Sequence, residues 1–121
     1  MFTKSLCVQV GENQFQIRNI DDSRSIQRQA NPAFSNQRKL VDNFAAAREC
    51  LKATLSEARG SGLVLSTTVV IHPLEKLDGG LTQVEERLFR ELAIGAGASK
   101  AIVWVGESLS DAEVMSKIKG K

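Results

Sequence analysis

Leu63-Val64-Leu65-Ser66-Thr67-Thr68-Val69-Val70-Ile71 is the stretch on which the fold turns. It is β-branched and almost unbroken in apolar character, which suits a strand buried on both faces of a parallel sheet. Upstream, Leu40, Phe44, Ala47, Leu51, Leu55 and Ala58 recur at steps of three and four residues. That spacing predicts a long amphipathic helix, capped by Ser35 or Asn36 and ended by Gly60 and Gly62. Downstream, residues 73–81 form a loop containing Gly79 and Gly80. Thr82 and Glu85 then make the T-x-x-E pattern that opens a second helix. Val84, Leu88, Leu92 and Ala96 are its expected core stripe, with Phe89 and Ala93 beside it, and Gly95 and Gly97 mark its end. Residues 101–105 read as another buried strand, and Ser110 with Glu113 starts a short helix through Val114 and Ile118.

At the other end, Leu6, Val8 and Val10 alternate as one face of a first strand, and Gly11-Glu12-Asn13 is turn material. Phe15 and Ile17 lie on a second strand paired as a hairpin. Residues 25–29 form a short polar third strand, followed by a loop of residues 30–34 around Pro32. The order is β-β-β-α-β-α-β-α. It predicts an α/β fold with a mixed five-stranded sheet, antiparallel at first and parallel later, with helices packed on it. Internal repeats are absent.

The chain has 121 residues, which fits one domain over residues 1–121. Sixteen Lys and Arg against 14 Asp and Glu leave a net charge of +2, too balanced to indicate a nucleic-acid partner. No apolar run approaches the roughly 18 residues of a membrane span, and the first residues lack the apolar core of a signal peptide. The expectation is a cytoplasmic protein. Cys7 and Cys50 read as free, buried thiols, and with His72 they have no metal-ligand spacing, so no metal and no cofactor is expected. His72 precedes Pro73 and reads as a turn or cap residue, since no nucleophile motif accompanies it. G-x-S-x-G, G-x-G-x-x-G and Walker sequences are absent.

Residues 82–98, Thr-Gln-Val-Glu-Glu-Arg-Leu-Phe-Arg-Glu-Leu-Ala-Ile-Gly-Ala-Gly-Ala, resemble the bacterial actin-like rod-shape protein family MreB. That family carries a similar Thr-Gln-Val-Glu-Arg-Arg helix ending in Gly-Ala-Gly-Ala before an apolar strand. Val69-Val70-Ile71-His72-Pro73 is similar to the strand preceding that helix. The element order also matches the first subdomain of the actin and Hsp70 ATPase fold, a ribonuclease H-like half, and the resemblance implies the strand order 3-2-1-4-5. It further implies that residues 9–12 stand where the family has its phosphate loop, Asp-x-Gly-Thr. Gly11 keeps the backbone freedom such a loop needs. Gln9 replaces the acid that serves the metal–phosphate site, and Glu12 replaces the hydroxyl with a negative charge. The inserted second subdomain is nearly absent, Glu107 alone remains of a Glu-Glu-Pro motif, and the chain contains no second phosphate loop. ATP hydrolysis needs metal, positioned water and clamped phosphates together, so no catalytic activity is expected.

The resulting expectation is a non-catalytic actin-like module acting through protein–protein contacts, with an actin-like filament or a second copy as partner. In the resembled family the corresponding subdomain contributes to subunit packing. Sheet edges left by a missing half also favour a homodimer. The alternative is a regulatory phospho-switch module resembling an anti-sigma-factor antagonist, with Ser66, Thr67 or Thr68 as switch hydroxyls, although that family's Asp-Ser-Ser-Gly signature is absent. A retroviral-type nuclease would need an acid at Gln9. Arg24, Arg28, Arg38 and Lys39, with Phe34 for stacking, could form a nucleic-acid patch; a charged edge guarded against aggregation is the reading preferred here.

Overall fold

A computed structural model describes residues 3–60, 64, 66–76 and 80–120. Gly62, Leu63, Leu65 and Gly79 carry sequence expectations and lie outside the described residues. The elements are β1 (Thr3–Gly11), β2 (Gln14–Asn19), β3 (Arg24–Gln29), α1 (Phe44–Arg59), β4 (Ser66–Pro73), α2 (Gln83–Gly95), β5 (Lys100–Val103) and α3 (Asp111–Ile118). They form a five-stranded sheet in the order β3-β2-β1-β4-β5. β1 pairs antiparallel with β2, and β2 with β3, while β1–β4 and β4–β5 are parallel. The mixed sheet and its strand order are those expected.

Alternation along the strands divides the apolar core between the two faces of the sheet. Leu6, Val8 and Val10 of β1, Phe15 and Ile17 of β2 and Val69 and Ile71 of β4 face one way. They pack against Ala47, Leu51 and Leu55 of α1 and Phe89, Leu92 and Ala93 of α2. On the opposite face, Cys7 and Val70 meet Leu109 and Val114, which bring α3 over β1 and β4. Both crossovers, through α1 and through α2, therefore pass over the same face, while α3 returns across the other.

Three features differ from the sequence reading. Helix α1 is capped by Asn43, whose side chain accepts from the Ala46 amide at 3.1 Å. Asn36 instead closes a turn, its Oδ1 accepting from the amides of Arg38 and Lys39. The connection after β3 is thus residues 30–43, not 30–34, and Leu40 is buried from this loop rather than from the helix. Strand β5 ends at Val103, with Val105 exposed. In α2 the buried residues are Phe89, Leu92 and Ala93, followed by Ala96 at the cap, whereas Val84 is 77% exposed. Among the described residues the first turn of α2 lies at the edge of the core, so a residue in phase with the stripe stays largely exposed there. Both expected capping boxes are present, Thr82 with Glu85 and Ser110 with Glu113.

Candidate functional site: the carboxyl edge of the parallel strands

In α/β sheets the chemistry gathers at the carboxyl ends of the parallel strands. Here that edge joins Gln9-Val10-Gly11 of β1, His72-Pro73 of β4 and the loop after β5. Gln9 lies beside His72 in register, and Leu74 extends the pairing by donating to the Val10 carbonyl at 2.9 Å.

The turn after β1 is built from three residues with separate tasks. A Cβ on Gly11 would come within 3.1 Å of the Gln14 side chain and 3.4 Å of Glu75 Oε2, so glycine lets that carboxylate approach. The Glu12 amide donates to Glu75 Oε2 at 2.9 Å. Lys76 Nζ lies 3.9 Å from the Glu12 carboxylate and donates to the Gln37 carbonyl. Asn13 takes φ 57°, a conformation asparagine tolerates better than most residues. Its Oδ1 accepts from the amides of Phe34 and Ser35, and its own amide donates to Ser35 Oγ. The turn therefore anchors the 30–43 connection.

Gln9, Gly11 and Glu12, the positions matched to a phosphate loop, are thus together at one edge. The Glu12 amide already has an anionic partner in Glu75. A phosphate arriving there would have to displace Glu75 and lie against Glu12, and like charges repel. Gln9 points to the α3 side, its Nε2 3.5 Å from Ser108 Oγ. Among the described residues no group of three His, Cys, Asp or Glu side chains is placed to hold a metal ion.

His72 is not a turn or cap residue. It is the penultimate residue of β4, 2% exposed, with Nε2 2.8 Å from the Gly106 carbonyl. A carbonyl only accepts, so Nε2 carries the proton and Nδ1 is a buried lone pair without a hydrogen-bond partner among the described residues. Burial pushes the imidazole below its ordinary range against the opposing effect of the Gly106 hydrogen bond, and the Arg18 charge lowers it further. Arg18 in turn donates to the Leu109 carbonyl at 2.7 Å and pairs with Asp111 at 3.3 Å. The segment from Gly106 to Asp111 is thereby fastened to β1, β2 and β4 by Gln9, Arg18 and His72.

Other sequence candidates resolve by burial. Phe34 is fully buried and stacked on Phe15, with ring centroids 4.9 Å apart, so it is closed to a nucleic-acid base. Arg28 is paired with Glu57. Thr67, one of the three switch candidates, is buried in β4 between β1 and Ser99. Cys7 is buried and Cys50 half-buried, and both are free thiols whose pKa burial raises. Asn13, Glu75 and Arg18 were not singled out from the sequence. Asn13 had a local signal, an asparagine in a tight turn; Glu75 and Arg18 had none, because their partners lie 63 and 91 residues away.

No protein-family profile matches the sequence. Over 126 aligned residues the chain is 33% identical to the uncharacterized protein YjaA of Escherichia coli strain K12, an alignment covering 96% of this chain and 98% of that protein. The chain belongs to the family of YjaA.

Proposed function

We propose that the chain is a non-catalytic, cytoplasmic, actin-like module that acts through protein–protein contacts, with a second copy of itself or the subunits of an MreB-like filament as partner. The observation that carries this reading is the outer face of α2. Val84, Arg87, Glu91 and Ile94 follow one another at steps of three, four and three residues, the spacing of a helix-pairing seam. Val84 and Ile94 are 77% and 45% exposed, and Arg87 and Glu91 form an exposed ion pair between them. The pattern is self-complementary. An antiparallel pair of α2 helices with its twofold level with Phe89 sets Val84 against Ile94 of the other copy and Arg87 against its Glu91.

The strand order supports the actin-like reading over the phospho-switch one, and the burial of Thr67 weighs the same way. The carboxylate at the Glu12 amide and the amide side chain at Gln9 support a module without ATP chemistry. Sedimentation velocity of the full chain tests the contact. Self-association is expected, weakened by Val84→Glu and by Arg87→Glu, and restored when Arg87→Glu is combined with Glu91→Arg. A chain that stays monomeric at all concentrations and fails to co-sediment with an actin-like filament from its host refutes the proposal. Calorimetry with ATP and magnesium tests the absence of nucleotide chemistry, and micromolar binding would sink that part.

A further inference from the structure

The loop leaving β5 and the outer side of α3 border an open hollow of about 560 Å3, lined by Trp104, Glu107, Ser108, Glu113, Ser116 and Lys117 among others. Trp104 is the single tryptophan of the chain. Its indole is held in place from two directions. Nε1 donates to the Glu107 carbonyl at 2.9 Å, and the ring lies against Gly106, where a Cβ would come within 2.8 Å of Cζ2. Gly106 has φ 147°, open to glycine and strained for other residues.

The ammonium of Lys117 sits 4.1 Å from the centre of the Trp104 ring. Two carboxylates, Glu107 and Glu113, line the same space. The Glu113 carboxyl is held below its ordinary range, chiefly by the Ser110 amide and hydroxyl, with the Lys117 charge adding to the effect. It is therefore ionised at neutral pH. An oriented aromatic face with carboxylates and hydroxyls around it is the chemistry that recognises an alkylammonium chain. The hollow is larger than the one ammonium it holds, and Lys117 marks where a cation rests in it. Its lining carries two acids against one base, although the whole chain has a net charge of +2. The attraction is thus local, against a weakly repulsive overall field.

We propose that this hollow binds a linear polyamine, one ammonium on the Trp104 face in the place now held by Lys117 and the next against Glu107 and Glu113. The proposal is independent of the α2 contact, which lies on the other face of the sheet. Titration of the full chain with spermidine at constant ionic strength, read by Trp104 emission and by calorimetry, tests it. A saturable change is expected, with one equivalent bound. Lys117→Met removes the tethered competitor while keeping an unbranched stem one atom shorter, and tightens binding about tenfold. Lys117→Gln does the same, and Glu107→Gln weakens binding about fivefold or more. Circular dichroism checks that each variant is folded. A response that tracks ionic strength alone, equal affinities in wild type, Lys117→Met and Glu107→Gln, or no saturable binding in either wild type or Lys117→Met overturns the proposal.

Discussion

Replacing Asn13 by alanine strikes the turn after β1, whose Asn13 side chain anchors the 30–43 connection. Two hydrogen bonds disappear, to the Phe34 amide at 2.9 Å and the Ser35 amide at 2.7 Å. Phe34 is buried, so its amide loses a partner that water replaces poorly, at about 1–2 kcal/mol. Ser35 is half-buried and water reaches its amide more easily, at about 0.5–1 kcal/mol. Alanine at φ 57° adds about 1 kcal/mol of backbone strain. The expected loss is about 3 kcal/mol in total, or on the order of 10 °C in Tm for a chain of this size. Asn13→Gly accepts the backbone angle and isolates the hydrogen bonds, so it loses about 2 kcal/mol. Asn13→Asp keeps the accepting oxygen and stays within about 0.5 kcal/mol of wild type. Urea unfolding followed by far-ultraviolet circular dichroism measures all three. An alanine variant as stable as wild type, or an aspartate variant as weak as alanine, would refute the anchor argument.

His72 is the chain's single histidine, and its lowered pKa gives stability a sign with pH. The unfolded chain takes up the proton first, so this contribution is fully present above about pH 6.5 and falls as pH drops towards the lowered folded value. Its slope there is at most about 1.4 kcal/mol per pH unit, and His72→Gln should flatten it in urea titrations across pH 5 to 7. Thr82→Ala removes the hydroxyl that accepts from the Glu85 amide at 3.1 Å and should cost about 1 kcal/mol by thermal melting. Leu92→Ala, fully buried between α2 and the sheet, should lose about 3 kcal/mol in the same assay.

Much of the fold was legible because its signals are local. The T-x-x-E and S-x-x-E boxes fixed the starts of α2 and α3, since each cap is made by residues three apart. The alternation of Leu6, Val8 and Val10 gave the core face of β1. Reading the start of α1 at Ser35 or Asn36 failed for an equally local reason. Asn36 and Asn43 both offer a capping oxygen, and only the bonds from Asp42 and Asn43 back to the Phe34 carbonyl decide which turn closes and which begins the helix. Val84 has the right phase for the core of α2, but phase cannot tell how far the core extends beneath a helix.

The candidate site was less legible. Gln9, Gly11 and Glu12 were named because a resemblance pointed to them, and their gathering at a strand end follows from topology. The anion that meets the Glu12 amide is Glu75, across the parallel β1–β4 pair. The Trp104 hollow depends on α3 folding back so that Lys117 reaches an indole 13 positions earlier in the chain.

The sequence by itself determined the order of the elements, their periodicity and caps, and through them the mixed sheet, because those properties are set by neighbours a few residues apart. The tertiary structure alone decided which polar groups are consumed by internal bonds and which remain at the surface. Glu75 at the turn amide, the buried lone pair of His72 and the exposure of Val84 all follow from how segments far apart in the chain pack, which no local pattern encodes.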